Sequence, residues 1–131
     1  MPDPITVSLQ RASDNSVYIH APPGRARHTG TEETFEWTVA PNTPVRLVAV
    51  IPLDDTIFTS YRPDPVQNKI TVTVVKGNDG ESAEIDYELW CLTSSGELCE
   101  AYGARPATAR CRGRTAGLTR RQHPPPKVIF P

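Results

Sequence analysis

An all-β sandwich is the fold class that this sequence predicts, and three observations support it. Apolar side chains alternate with polar ones at a period of two in successive segments, and no segment shows the 3.6-residue period of an amphipathic helix. The chain of 131 residues contains 14 prolines, about twice the usual share, and proline is excluded from helix interiors. Clusters of Gly, Pro, Asn and Asp separate the alternating segments, as in a sandwich built of short strands.

The predicted strands follow one another along the chain, each marked by its alternating apolar positions. They cover residues 5–9, 17–19, 35–39, 45–51, 70–74 and 85–91. The turns between them hold the proline and glycine clusters, and we interpret residues 77–80 (Gly-Asn-Asp-Gly) as a hairpin turn. A second predicted turn is the Pro-Asp-Pro cluster at residues 63–65. With further short strands near the C-terminus, we expect about seven to nine strands in total.

A second predicted hairpin, at residues 93–97, sets the register of two strands. Its sequence Thr-Ser-Ser-Gly-Glu suits a three-residue loop whose glycine takes the left-handed conformation. Centring this loop on Ser95 places Cys91 opposite Cys99, and such cross-strand neighbours lie ~4.5–5.5 Å apart. That separation allows a disulfide and equally suits two buried thiols, and in either case Cys111 stays single.

One local pattern refines the fold class. Tyr87-x-Leu89-x-Cys91 is typical of the strand of an immunoglobulin-like domain in which a tyrosine lies two residues before an inward position. An ordinary core tyrosine explains the same pattern, and no early cysteine is present to pair with Cys91 across the sheets. We therefore predict an immunoglobulin-like antiparallel β-sandwich over residues 1–103. A basic, proline-rich extension over residues 104–131 follows it and ends in a short strand.

Charge divides the chain into an acidic body and a basic end. Seven basic and fifteen acidic residues give residues 1–104 a net charge of −8, whereas residues 105–131 carry seven basic residues and no acidic one. Such asymmetry is typical of an interaction segment. The extension closes on three prolines and the strand-forming run VIF at residues 128–130. We expect the basic arm to cross an acidic body, and the terminal run to join a sheet edge of its own chain or of a neighbour.

Two predicted strands are apolar on both faces, which is unusual for a solvated sandwich. In the strand at residues 45–51, Val48 and Val50 interrupt the alternation, and Trp90 and Leu92 lie opposite a face already assigned to the core. Coverage by the chain's own loops explains this, and so does a partner surface. We predict contacts with a protein partner or a second copy through three groups of residues. They are an apolar patch (Trp90, Leu92, Leu98), an electrostatic cluster (Arg110, Arg112, Arg114, Arg120, Arg121) and a docking strand (Val128, Ile129, Phe130).

Patterns for catalysis, metals and cofactors are weak. The cysteine spacing C-x7-C-x11-C is unlike that of structural zinc sites, and there is no G-x-S-x-G elbow and no glycine-rich phosphate loop. An enzyme would need a cleft in which His20 or His28 meets a carboxylate or a serine. The sequence instead predicts a non-enzymatic structural or adaptor subunit without a cofactor, metal or membrane insertion. No signal-peptide pattern opens the chain, which favours a cytoplasmic location.

Two other functions remain open. The Arg-rich extension is typical of non-specific phosphate binding, so a nucleic-acid-binding protein is the first alternative. Against it, no aromatic residue lies among the arginines for base stacking, and the acidic body would repel a nucleic-acid backbone. The second alternative is a carbohydrate- or ligand-binding sandwich that uses Trp37 and Trp90. Trp37 alternates with Phe35 and Val39, which places it in the predicted core.

Overall fold

The computed structural model describes residues 2–27, 30–53, 57–75, 83–109 and 123–131. These residues are all-β and form ten strands without a helix, so the predicted all-β class is confirmed. The strands are β1 (Ile5–Arg11), β2 (Val17–His20), β3 (Gly24–Arg25), β4 (Glu32–Val39), β5 (Val45–Pro52), β6 (Ile57–Asp64), β7 (Lys69–Val75), β8 (Ala83–Thr93), β9 (Leu98–Glu100) and β10 (Lys127–Phe130).

The strands form two sheets that enclose one main core. The first has the order β2-β1-β4-β7-β6, and the second has the order β3-β10-β8-β5, with β9 also paired to β8. Both sheets are mixed, because β1 runs parallel to β4 and β3 runs parallel to β10. The prediction of a purely antiparallel sandwich is therefore wrong. Parallel neighbours cannot be joined by a tight hairpin and need a longer connection. One change of sheet occurs between β2 and β3, where the chain passes through Pro22 and Pro23 from the first sheet to the second.

Strand β6 was not among the predicted strands, because most of its side chains are exposed and no apolar alternation marks it. A bulge between Thr59 and Arg62 interrupts its pairing with β7, and Ser60 there has a φ of 48°. The turn predicted at residues 63–65 begins later than expected, since β6 continues to Asp64. The carboxylate of Asp64 then accepts the N–H groups of the next two turn residues, Val66 and Gln67, both at 3.1 Å.

The two predicted hairpins have opposite outcomes. At residues 93–97 the hairpin is confirmed: Cys91 pairs with Cys99, and Gly96 has a φ of 88°. The hairpin predicted between β7 and β8, at residues 77–80, is wrong, because these two strands lie in different sheets and do not pair with each other. Residues 77–80 themselves lie outside the described residues.

Aromatic side chains dominate the space between the sheets. Trp37 is fully buried, as predicted, and its indole N–H donates a hydrogen bond of 2.8 Å to the hydroxyl of Tyr87. The two rings meet edge to face with centroids 5.2 Å apart. Phe35 and Phe130 pack in the same way at 6.0 Å, which links β4 to the C-terminal strand across the core.

The structure contradicts both states predicted for Cys91 and Cys99, a disulfide between them and a pair of buried thiols. Cys99 is disulfide-bonded, whereas Cys91 is a free thiol that is buried in the core. The two residues face each other but are not bonded to each other, so the partner sulfur of Cys99 lies outside the described residues. Burial raises the pKa of the Cys91 thiol to about 12, which leaves no thiolate for exchange near neutral pH.

We expect Cys91 to resist alkylation in the folded protein, because the reactive species is the thiolate and burial suppresses it. Iodoacetamide at about pH 8 should leave Cys91 unmodified in native protein and modify it after denaturation without reductant. Cys99 should be modified only after reduction. Peptide mapping by mass spectrometry measures both sites, with a Cys91→Ala variant as the control. Alkylation of Cys99 before reduction would contradict this assignment.

Candidate protein-contact face

Strand β8 carries core side chains on one side and a second series on the other. Its inward residues pack between the sheets: Ile85, Tyr87, Leu89 and Cys91. Pairing with β5 and β9 brings neighbours from both strands beside the residues that point away from the core. We call this surface the outer face, and it consists of Arg46, Ala49, Ile51, Glu88, Trp90, Leu92, Leu98 and Glu100.

One end of the outer face is apolar and open to solvent. Leu92 and Leu98 are a cross-strand pair, 37% and 42% exposed. Ile51 on β5 is 41% exposed, but it faces Glu88 at the opposite end of the outer face, and the bulged Val48 is 46% exposed. Arg46 lies opposite Leu92, but its guanidinium is held by the carbonyl of Pro65. An exposed apolar surface therefore remains where the sequence analysis placed Leu92 and Leu98.

The middle of the outer face is closed. Trp90, predicted as part of the same patch, is only 7% exposed, and its indole N–H donates a 2.9 Å hydrogen bond to the carboxylate of Glu88. Trp37 is fully buried as well. Neither tryptophan offers an exposed ring for a sugar to stack on. The ligand-binding alternative depended on an exposed Trp90, and the structure does not provide one.

A histidine–carboxylate pair lies beside Trp90. His123 Nε2 is 3.4 Å from the carboxylate of Glu100, with side chains 9% and 7% exposed, but makes no hydrogen bond. The His123 ring stacks on Tyr102 with centroids 4.0 Å apart. Burial lowers the pKa of His123, and the nearby charge of Glu88 opposes that shift. The pair can stabilise the join between β9 and the C-terminal strand, but it is closed to a substrate.

Of the two histidines that an enzyme was predicted to use, His20 and His28, the structure describes only His20. His20 is half-buried at the edge of β2, its ring lies edge-on to Tyr18 at 6.1 Å, and burial lowers its pKa. His28 lies outside the described residues. Two surface depressions of about 260 Å³ lie near β3 and β10, and neither is lined by His, Cys or Ser.

The terminal run Val128, Ile129 and Phe130, predicted as a docking strand, joins the chain's own sheet. It forms β10, which pairs with β3 on one side and with β8 on the other. Val128 and Phe130 are each 1% exposed. Because both edges of β10 are occupied and two of its side chains are in the core, it is not available for a partner.

The prolines before β10 are packed against the body. The N–H of Gly103 donates a 2.9 Å hydrogen bond to the carbonyl of Pro124. A Cβ at Gly103 would collide with the carbonyl of Pro125, so this close approach requires glycine.

Residues 105–109 are held by the turn between β1 and β2. Arg105 donates to the carbonyls of Arg11 and Ala12 at 3.0 and 3.3 Å, and Ala109 N–H donates to the hydroxyl of Ser16 at 2.9 Å. The cluster Arg110, Arg112, Arg114, Arg120 and Arg121 lies outside the described residues. Since the described residues on both sides of this cluster are anchored, the extension is not a free arm over its whole length.

The chain matches no protein-family model, no curated protein and no solved structure. The part of the chain that the structure describes holds no helix able to span a membrane. It also holds no group of three or more His, Cys, Asp or Glu side chains that could bind a metal ion. The function therefore has to be argued from the outer face and its charges.

Proposed function

We propose that this protein is a non-enzymatic structural or adaptor subunit that binds a partner protein through the apolar end of the outer face. The exposed Leu92–Leu98 pair carries this proposal. The other side of the same sheet already packs in the core, so these side chains and Ile51 have no role in closing the sandwich. Apolar side chains that remain exposed next to each other are typical of a protein-contact surface.

Charge around the outer face indicates the chemistry of the partner. Glu84, Asp86 and Glu88 alternate along β8 towards Leu92, and the exposed Glu97 lies next to Leu98 in the hairpin. Glu84 is paired with Lys127 at 3.1 Å, and Glu88 accepts the indole N–H of Trp90 at 2.9 Å. A complementary surface would present aliphatic side chains flanked by lysine or arginine.

The five arginines of residues 110–122 belong to the same proposal as a second, electrostatic contact. They carry no interleaved acid, and the segments on both sides are anchored to the body. An acidic surface of the same assembly is the partner that their charge favours. Nucleic acid is the alternative ligand for these arginines.

An immunoglobulin-like arrangement of the sandwich is also part of the proposal. Strands β4, β7 and β6 lie side by side in one sheet, and β10, β8 and β5 lie side by side in the other. This matches the B-E-D and G-F-C orders of immunoglobulin sheets, and Tyr87 then lies on the strand equivalent to F.

A photo-crosslinking amino acid at Leu92, which is 37% exposed beside Leu98, tests the proposal in the native host. We expect a covalent product with a partner protein, identified by mass spectrometry. The matched control places the same group at Val17, an aliphatic residue that is 45% exposed in the first sheet. A product with nucleic acid, with a second copy only, or equally from Val17 would contradict a foreign protein partner at this face.

Leu98→Glu is expected to weaken partner binding at least about tenfold, because it places a charge in the centre of an apolar contact. Its effect on the free energy of unfolding should stay within about 0.5 kcal/mol, since the side chain is 42% exposed. The yield of the Leu92 crosslink measures binding, and urea denaturation measures stability. Val17→Glu is the control and should leave the crosslink unchanged.

A further inference from the structure

Strand β5 forms an edge of the second sheet, because it pairs with β8 on one side only. Its sequence, VRLVAVIP, has one charge and is rich in valine and isoleucine. Edge strands of this composition are templates for pairing with another chain, and identical segments pair readily with each other. In the described structure, however, side chains from the first sheet form hydrogen bonds with backbone groups of β5 that point away from β8.

The side chain of Asn68 makes two of these contacts. Its Oδ1 accepts the N–H of Leu47 at 2.8 Å, and its Nδ2 donates to the carbonyl of Val45 at 2.9 Å. One amide group thus occupies the donor and the acceptor positions that two residues of an added antiparallel strand would fill. Asn68 lies in the β6–β7 turn with a φ of 55°, a conformation that asparagine tolerates better than most residues.

The side chain of Tyr61 makes the next contact along the same edge. Its hydroxyl accepts the N–H of Val50 at 2.9 Å, and Tyr61 itself lies in the bulge of β6. The N–H of Val45 donates to the carbonyl of Thr43 at 2.9 Å, and the last residue of the strand, Pro52, has no N–H. The donors that an incoming strand would need on β5 are therefore already used.

We infer that Asn68 and Tyr61 form a clip that closes the edge of β5 against a second copy of this chain. Without the clip, two β5 strands can pair antiparallel about a twofold axis, since each supplies the same donors and acceptors to the other. The clip directs association away from this edge, so binding through the outer face can occur without edge-to-edge dimerisation. This inference concerns a different surface from the proposed function and stands independently of it.

The double variant Asn68→Gly and Tyr61→Phe tests the clip in the full-length protein. Glycine keeps the positive φ of Asn68 while removing the amide, and phenylalanine keeps the ring while removing the hydroxyl. We expect a concentration-dependent dimer by light scattering, where the wild-type protein is monomeric. At low concentration, hydrogen exchange at the Leu47 and Val50 amides should be roughly tenfold faster in the double variant than in the wild-type protein. Each amide loses one hydrogen bond in the variant, and a rate change of this size corresponds to the free energy of one such bond. In the dimer both amides should be protected again.

Two further variants keep the test decisive. Asn42→Gly also replaces an asparagine of positive φ, at 60°, and should remain monomeric. Val48→Lys adds a charge at the exposed bulge of β5 and should return the double variant to a monomer. A double variant that stays monomeric at every concentration, or a dimer that Val48→Lys does not dissociate, would overturn the inference. If the double variant does not fold, Asn68→Gly alone decides by the same criteria.

Discussion

Deleting residues 124–131 is expected to leave the chain unfolded rather than merely shortened. The deletion removes β10 from between β3 and β8, and it removes the carbonyl of Pro126, which accepts the N–H of Tyr87 at 3.1 Å. The buried side chains of Val128 and Phe130 are lost with the strand. Far-ultraviolet circular dichroism and a thermal scan measure the outcome. A truncated chain with an unchanged melting temperature would show that β10 is dispensable.

Single substitutions within β10 should show how much each side chain contributes to the stability of the fold. Phe130→Ala is expected to lower the free energy of unfolding by about 3–5 kcal/mol, because it leaves a cavity against Phe35. That is a large part of the ~5–15 kcal/mol by which single domains are stable. Ile129 lies between the two buried positions on the same strand and is partly exposed, so Ile129→Ala serves as the control. Equal losses for both variants in urea denaturation would contradict a core role for Phe130.

The terminal strand shows how far prediction from this sequence reaches. Its β-forming composition and its addition to a sheet edge could be predicted from the run of Val, Ile and Phe alone. Which edge it joins could not, because alternation describes the faces of a strand and carries no information about distant neighbours. The residues of β10 were predicted to dock on a partner because the charge asymmetry suggested a C-terminal arm that is independent of the body.

The outer face could also be predicted only in part from the sequence. Apolar residues on both sides of β8 marked Leu92 and Leu98, and the hairpin centred on Ser95 gave their pairing. The burial of Trp90 could not be predicted, since it depends on groups such as Glu88 and on neighbours brought in by the fold. The contact of His123 with Glu100 has no signal in sequence spacing, because it joins residues on either side of the arginine-rich segment.

The hydrogen bond between Trp37 and Tyr87 is expected to give the second large effect on stability. It joins β4 of one sheet to β8 of the other, and both side chains are essentially inaccessible to solvent. Burial raises the pKa of the Tyr87 hydroxyl, so the group is protonated at neutral pH. The oxygen of this hydroxyl accepts the indole N–H of Trp37.

Tyr87→Phe should lower the free energy of unfolding by about 1–3 kcal/mol, because it leaves the indole N–H of Trp37 buried without an acceptor. Trp37→Phe should cost more, since it also removes part of a ring that packs against Phe35. In the double variant both polar groups are gone, so its loss should be smaller than the sum of the two single losses by roughly 1–2 kcal/mol. Tyr18→Phe removes a hydroxyl whose 3.1 Å bond to Gln10 is only partly buried, and it should cost less than about 1 kcal/mol. Additive losses in the Trp37–Tyr87 cycle would mean that the two sheets are joined by apolar packing alone, with the hydrogen bond contributing nothing beyond it.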